Sequence, residues 1–345
     1  MYLIIGIWGG TNRIYATLKF FLYTLFGSVL FLIVIIYLFS NFGTLSMPSL
    51  VQLAPKLSFE VQSYLWIAAF IAFAVKVPML PFHTWLPDAH VQAPTAGSVI
   101  LAGILLKIGA YGFLRVSLPM FPEASRYYSE FVLVLSVAAI IYASLVAIAQ
   151  TDMKKMIAYS SVAHMGYVTA GIFSFNPQGM TGAIMQMISH GIVSSGLFMV
   201  VGVLYDRLHT KEISSYGGVA AKMPNLAFIF MVLTLSSIGL PGTSGFVGEF
   251  YSIIGLYKSG WYYAALATLA VILGAIYMLR LYRNVMLGTI SNEKIQKFSD
   301  LTAREIFCLA PLAIATIIFG IFPSLITRYF TNEVLLLLNN MGITE

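Results

Sequence analysis

Two stretches decide how this chain folds: Lys76-Val77-Pro78-Met79-Leu80-Pro81 and Gly239-Leu240-Pro241-Gly242-Thr243-Ser244-Gly245. Each lies inside a long apolar run, and each would open the hydrogen-bond ladder of a helix in mid-membrane. Each also has an ionisable residue beside it, Lys76 at the first and Glu249 just beyond the second. Paired broken helices in two halves of a membrane chain point to an ion site. The plainer alternative at either position is a proline kink.

The runs around these breaks set the class. Of 345 residues, 59% are hydrophobic and 9% are charged, against about 25% charged in soluble domains. Nine segments are long enough to cross a bilayer: 18–39, 61–80, 95–117, 130–150, 156–175, 180–205, 226–258, 261–287 and 304–323. Backbone groups in lipid must be satisfied within a segment, so these runs predict helices. They lack the alternation of a barrel strand. The expected fold is an all-α, polytopic transmembrane bundle. Tyr2-Leu3-Ile4-Ile5-Gly6-Ile7-Trp8 reads as the exit end of a further helix, and the stretch from about 324 onward reads as amphipathic, with Leu335 to Leu338 apolar.

The net charge of +6 forms no basic stripe, which argues against nucleic acid as a partner. The basic residues sit between the apolar runs, where they set orientation. Threading nine spans puts Arg13, Lys19, Lys154, Lys155, Arg207, Lys211, Lys222, Arg280, Arg283, Lys294, Lys297 and Arg304 on one side. Lys56, Arg115, Arg126, Lys258 and Arg328 fall on the other. Twelve against five assigns the first side to the cytoplasm or matrix. The single cysteine, Cys308, cannot hold an iron–sulfur cluster, a structural zinc or an internal disulfide. Neither G-x-G-x-x-G nor a Walker A sequence occurs, so nothing in this chain points to its own NADH, flavin or ATP site.

Charged side chains deep in a bilayer are costly and face one another or water-filled paths. Five candidates lie inside the apolar runs: Lys76, Lys107, His164, His190 and Glu249. Lys107 is about ten residues from the closer end of its span, on the order of 15 Å of helix, a long reach for snorkelling. Lys76 at the break suits either an ion path or a structural cap on freed carbonyls. His164 and His190 lie at matching depth on consecutive spans, and histidine exchanges protons near neutral pH. Either one taken singly is equally an interhelical hydrogen-bond partner. Glu249 suits a terminal proton site or an anchor for the break. Such groups pass a proton when water bridges them and their charges switch in turn. Ser160, Ser161, Ser189, Ser194 and Ser195 read first as small residues for close helix packing, and second as hydroxyls along the path. His83, Asp88 and His90 match no standard metal-ligand spacing and read as a loop at the membrane surface. The first acidic residue, Glu60, also falls in a loop by this reading.

The motifs carry a resemblance. Lys76 to His90, Ala93-Pro94-Thr95-Ala96-Gly97-Ser98, Leu105 to Gly112, Ala163-His164-Met165-Gly166, Ser189-His190-Gly191, the Leu240-to-Phe250 break and the region of Arg115 and Pro119 closely resemble the antiporter-like subunits of respiratory complex I. The resemblance runs over almost the whole chain. It implies two inverted repeats, each with one broken helix: the remainder of the first in 1–129, the second in 130–287, and a loop, last span and tail in 288–345. It implies a proton-relay role for Lys76, Lys107, His164, His190 and Glu249. NADH, FMN, iron–sulfur clusters and quinone are then expected in other subunits, with this chain carrying no cofactor. Its partners would be the other membrane-arm subunits, the lipid bilayer and protons. A bacterial inner membrane is expected, with the mitochondrial inner membrane as the alternative.

Family members carry four more helices before this point and most of a fifth, which bears a glutamate paired with the lysine matching Lys76. By that pattern the partner of Lys76 falls before Met1. An upstream piece, a separate polypeptide and a decayed remnant are the three readings of this departure. Subunits of sodium/proton antiporters and membrane-bound hydrogenases share the fold, and an inactive structural fragment is a further alternative.

Overall fold

A computed structural model describes residues 1–290 and 292–343. Ser291, Thr344 and Glu345, all in the expected 288–345 segment, lie outside the described residues. The principal helices are α1 (Tyr2–Trp8), α2 (Arg13–Phe42), α3 (Phe59–Lys76), α4 (Trp85–Gln92), α5 (Thr95–Met120) and α6 (Ser129–Ile148). They continue with α7 (Met153–Phe173), α8 (Pro177–Leu208), α9 (Pro224–Ser237), α10 (Ser244–Ser259), α11 (Trp261–Met286), α12 (Ala303–Ile321) and α13 (Thr331–Asn340). Among the described residues there is no strand, only an isolated bridge between Asp152 and Glu212. Seven of the described helices are long and apolar enough to cross a membrane: α2, α3, α5, α6, α8, α11 and α12. Every one of the nine expected spans corresponds to a helix or to a pair of half-helices.

Both breaks form, and both differ in detail from the sequence reading. The segment expected at 61–80 stops at Lys76, because Pro78 and Pro81 cannot continue the backbone ladder. The chain resumes as α4, so His83, Asp88 and His90 are not a surface loop. Asp88 and His90 stand on a helix, and His90 is fully buried with its ring stacked 4.3 Å from that of Phe198. Pro87 is tolerated because it sits in the first turn of α4, where its missing N–H costs no hydrogen bond. The segment expected at 226–258 is two half-helices, α9 and α10, joined through Gly239 and Gly242 in the left-handed region. Glu60, expected in a loop, lies in the first turn of α3.

Burial ranks the helices. In α8, 67% of the most apolar window is buried, against 17% in α2 and α12. Thus α8 is the axis of the bundle, while α2 and α12 face outward. Helix α7 is buried nearly all round, only Lys155 and Tyr159 being partly open, as a central helix must be. Small residues let these helices meet closely. A Cβ on Gly182 would fall 2.3 Å from the backbone nitrogen of Ser252, and one on Gly255 would fall 2.3 Å from the Cα of Gly179. That seam of α8 against α10 carries Glu249 into the interior.

Gly109 makes the same kind of approach to the first break. A Cβ there would lie 2.7 Å from the Phe73 carbonyl oxygen and 2.9 Å from the Val77 nitrogen. Both atoms are backbone and cannot swing aside. Gly109→Ala is therefore expected to destabilise the protein by about 1–3 kcal/mol, read as a lower midpoint in thermal unfolding of the purified protein. A midpoint equal to that of the parent would contradict the close contact.

Candidate functional site: a buried row of ionisable residues

The site begins on α5. Its middle is a short α-helical stretch, Leu106–Gly112, between two wider π-helical turns, Leu101–Leu105 and Phe113–Ser117. Such π turns inside helices recur at functional sites. Lys107 occupies that middle stretch. Its Nζ donates to the Ala102 carbonyl and lies 2.6 Å from His190 Nδ1. The contact exists because α5 and α8 cross at glycines: a Cβ on Gly191 would lie 3.0 Å from the Gly103 carbonyl oxygen and 3.8 Å from Lys107 Cε.

When Nδ1 accepts from the lysine, the neutral His190 ring carries its proton on Nε2. That nitrogen is buried and has no protein hydrogen-bond partner. It faces a small cavity lined by His164, Gln186, Ser189, Ser194 and Ser237, about 10 Å³ in volume. This is roughly the space one water requires. The ring centroids of His190 and His164 are 5.7 Å apart, and His190 Nε2 makes no hydrogen bond to the other ring, which leaves a place for one bridging molecule.

His164 sits on α7 and continues the row. Its Nδ1 lies 2.9 Å from Glu249 Oε1, and its Nε2 lies 3.3 Å from Ser237 Oγ. Gln186 Nε2 also donates to Glu249 Oε1, at 3.4 Å. One carboxylate oxygen thus accepts from both an imidazole N–H and an amide N–H. The other points at the break: a Cβ on Gly239 would lie 2.8 Å from Glu249 Oε2. A side chain there would displace the carboxylate, and the positive φ of 73° at Gly239 independently favours glycine. Beyond Glu249 a second cavity of about 10 Å³ is lined by Tyr167, Tyr277 and Ser144.

The structure therefore brings Lys107, His190, His164 and Glu249 into one row, each but the histidine pair in direct contact. Lys76 is not hydrogen-bonded to that row. It ends α3 half-buried, and no ion pair reaches it among the described residues. The freed carbonyl of Val75 at this break accepts from the Trp85 indole at 2.9 Å, so the tryptophan and not Lys76 caps it. His83, Asp88 and His90 do not converge. Asp88 pairs with Lys19 at 2.7 Å, His83 packs against Tyr142, and no metal-holding group of three or more His, Cys, Asp or Glu occurs among the described residues.

Gln186, Ser237 and Tyr277 join the site without having been singled out in the sequence. Gln186 was the most findable, since it stands four residues before His190 on the same helical face. The serines divide between bonds that serve helix packing and places on the wall of the cavity between the histidines. Ser160, Ser161 and Ser194 donate to carbonyls of their own helices, Ser189 meets Ser244 Oγ at 2.8 Å, and Ser195 reaches the Val99 carbonyl across helices. Ser160, Ser189 and Ser194 also line the cavity between the histidines. Ser194→Ala removes only a hydroxyl bonded to its own helix, so any change in proton translocation is expected to stay under about twofold. A loss near that of a Lys107 variant would place this hydroxyl in the path.

Residues 1–274 match the family described as NADH:quinone oxidoreductase/Mrp antiporter, transmembrane. The chain is 62% identical over 330 residues to NADH-quinone oxidoreductase subunit M of Rickettsia prowazekii (strain Madrid E), covering 96% of this chain and 67% of that protein. It is 52% identical over 324 residues to NADH-ubiquinone oxidoreductase chain 4 of Marchantia polymorpha, covering 94% and 65%. Among solved structures, a chain of respiratory complex I from Thermus thermophilus with bound NADH superimposes with a TM-score of 0.92 at 32% identity, covering 99% of this chain and 72% of that one. The chain thus spans about two thirds of the length of the curated relatives it matches. By family match, sequence identity and fold together, this integral membrane chain belongs to the NADH:quinone oxidoreductase/Mrp antiporter family.

Proposed function

We propose that this chain is a proton-translocating membrane-arm subunit of an NADH:quinone oxidoreductase, the kind of protein its relatives are named as. Its substrate is the proton. Electron transfer from NADH through FMN and iron–sulfur clusters to quinone takes place in other subunits, and the partners of this chain are those subunits and the bilayer. A bacterial cytoplasmic membrane fits the Rickettsia relatives, with mitochondrial chain 4 as the counterpart. The functional division runs through the remainder of a first inverted repeat in 1–129, a second in 130–287, and a loop, last span and tail in 288–345.

The observation that carries this reading is the row from Lys107 Nζ to His190, at 2.6 Å, and from His164 to Glu249, at 2.9 Å. A proton leaves the Lys107 ammonium for Nδ1 of His190. The imidazolium so formed releases its Nε2 proton across the cavity to Nε2 of His164, through one water or the Ser237 hydroxyl. His164 passes its Nδ1 proton to Glu249. Each histidine receives at one nitrogen and releases from the other, so a passing proton leaves the ring in the opposite tautomer, which must be reset before the next proton follows. Lys76 stands at the first break as the entry group, linked to Lys107 through the packing of α3 on α5. Direction comes from switching charge along the row: a cation arriving at Lys76 makes an ammonium at Lys107 less favourable, and loss of charge there favours its return.

The test is NADH-driven acidification of inverted membrane vesicles from a strain lacking this chain and from the same strain complemented with it. Acidification per NADH oxidised is expected to depend on the chain and to be the same with and without sodium. A strict sodium requirement would instead support the antiporter branch of the family. Equal acidification in both strains would reject a pumping role.

A further inference from the structure

The membrane-facing stripe of α11 ends in a place no part of the proton row uses. Leu269, Ile272, Ile276 and Leu279 are all exposed along one face, spaced by three or four residues as one side of a helix requires. The next turn of the same face carries Arg280 and Arg283, both exposed. These arginines line a cleft at that end of the bundle, about 590 Å³ in volume. Its other walls are Gln150 and Thr151 just past α6, and Glu212 and Ser214 on the segment after α8.

The arginines hold charge that is not neutralised. Arg280 donates to the Ile148 carbonyl at 3.2 Å and Arg283 to Asn284 Oδ1 at 3.3 Å, and neither is within ion-pair distance of a carboxylate among the described residues. Neighbouring lysines are committed elsewhere, Lys154 to the Ala93 carbonyl at 2.8 Å and Lys211 to the Val91 carbonyl. Glu212 is the opposing charge of the cleft wall. The cleft also lies on the side to which the charge count assigns the cytoplasm or matrix. At that depth, basic pockets between spanning helices meet anionic headgroups.

We propose that this cleft binds the phosphodiester headgroup of an acidic membrane phospholipid. Arg280 and Arg283 would hold the phosphate oxygens, and the acyl chains would lie along Leu269, Ile272, Ile276 and Leu279. Guanidinium groups suit this because their planar fork presents paired donors to phosphate. The volume suits a headgroup and is far larger than an inorganic ion needs. The continuous apolar stripe supplies what a soluble phosphate would have no use for.

The test uses the intact complex in phosphatidylcholine vesicles, with trace phosphatidylglycerol carrying a photoreactive diazirine in its acyl chain. Labelled peptides are mapped by mass spectrometry. Labelling is expected to concentrate on 269–279, to fall about tenfold in the Arg280→Gln/Arg283→Gln double variant, and to resist millimolar inorganic phosphate. Equal labelling by a diazirine phosphatidylcholine, or no loss in the double variant, would overturn the proposal. Competition by inorganic phosphate would overturn it in favour of a soluble-phosphate site. If the double variant fails to assemble, Glu212→Gln decides. Removing the opposing carboxylate is expected to raise labelling about twofold or more, and unchanged labelling would count against the cleft.

Discussion

Glu249→Gln is expected to lower NADH-driven proton translocation on the order of tenfold while leaving the chain folded and assembled. The amide has nearly the shape of the carboxyl group, and its oxygen still accepts from His164 Nδ1 and Gln186 Nε2, the two donors that now converge on Oε1. Packing at the break is therefore kept, with Gly239 still accommodating the second head atom. What is lost is the ability to take a proton. The proton that His164 would release from Nδ1 then has no acceptor, so the row ends at His164. The measurement is the initial rate of vesicle acidification divided by the rate of NADH oxidation. Glu249→Asp keeps a titratable group one methylene back and is expected to recover part of the rate. A Gln variant that pumps at the parental ratio would remove Glu249 from the relay and leave it an anchor of the broken helix.

Lys107→Ala is expected to have an effect of similar size, about tenfold, for a different reason. The amine lies 2.6 Å from His190 Nδ1, over the crossing of Gly103 and Gly191. Removing it deprives His190 of its proton source and leaves a buried imidazole nitrogen without a partner, which also costs stability. Loss of the charge and loss of the exchangeable proton are separable. Lys107→Arg keeps a cation but, with a pKa above about 12, does not release a proton in a working range. Arginine is expected to restore assembly without restoring pumping. If arginine restored pumping per NADH, Lys107 would act only through its field, and the proton would travel by another route.

Much of this was readable along the chain, for a reason specific to membranes. Lipid offers no hydrogen bonds, so spans must be long apolar helices, and any Pro–Gly cluster or charge within one stands out against a uniform background. That is why both breaks and nine helical segments, seven of them matching described helices long and apolar enough to cross a membrane, were visible from residue order. The ends were less so. Lys76 terminates its helix four residues before the expected end, since the span was bounded by hydropathy while the helix was ended by Pro78. The stretch of His83 to His90 was misread because its polar residues resemble a surface loop. Burial against Phe198 and pairing with Lys19 make it half of the first broken helix.

Sequence alone therefore determined the class, the two breaks and which ionisable residues fall inside apolar runs. It did not determine which of them meet. Lys107 finds His190 across 83 positions, and Gln186 reaches Glu249 across 63. Those meetings depend on the rotation and separation of α5, α7, α8 and α10, which glycine contacts set to within a few tenths of an ångström. A hydrogen bond is decided over that same distance. Only the packed bundle brings the separate ionisable residues into one row, leaving a single gap the size of a water between the two histidines.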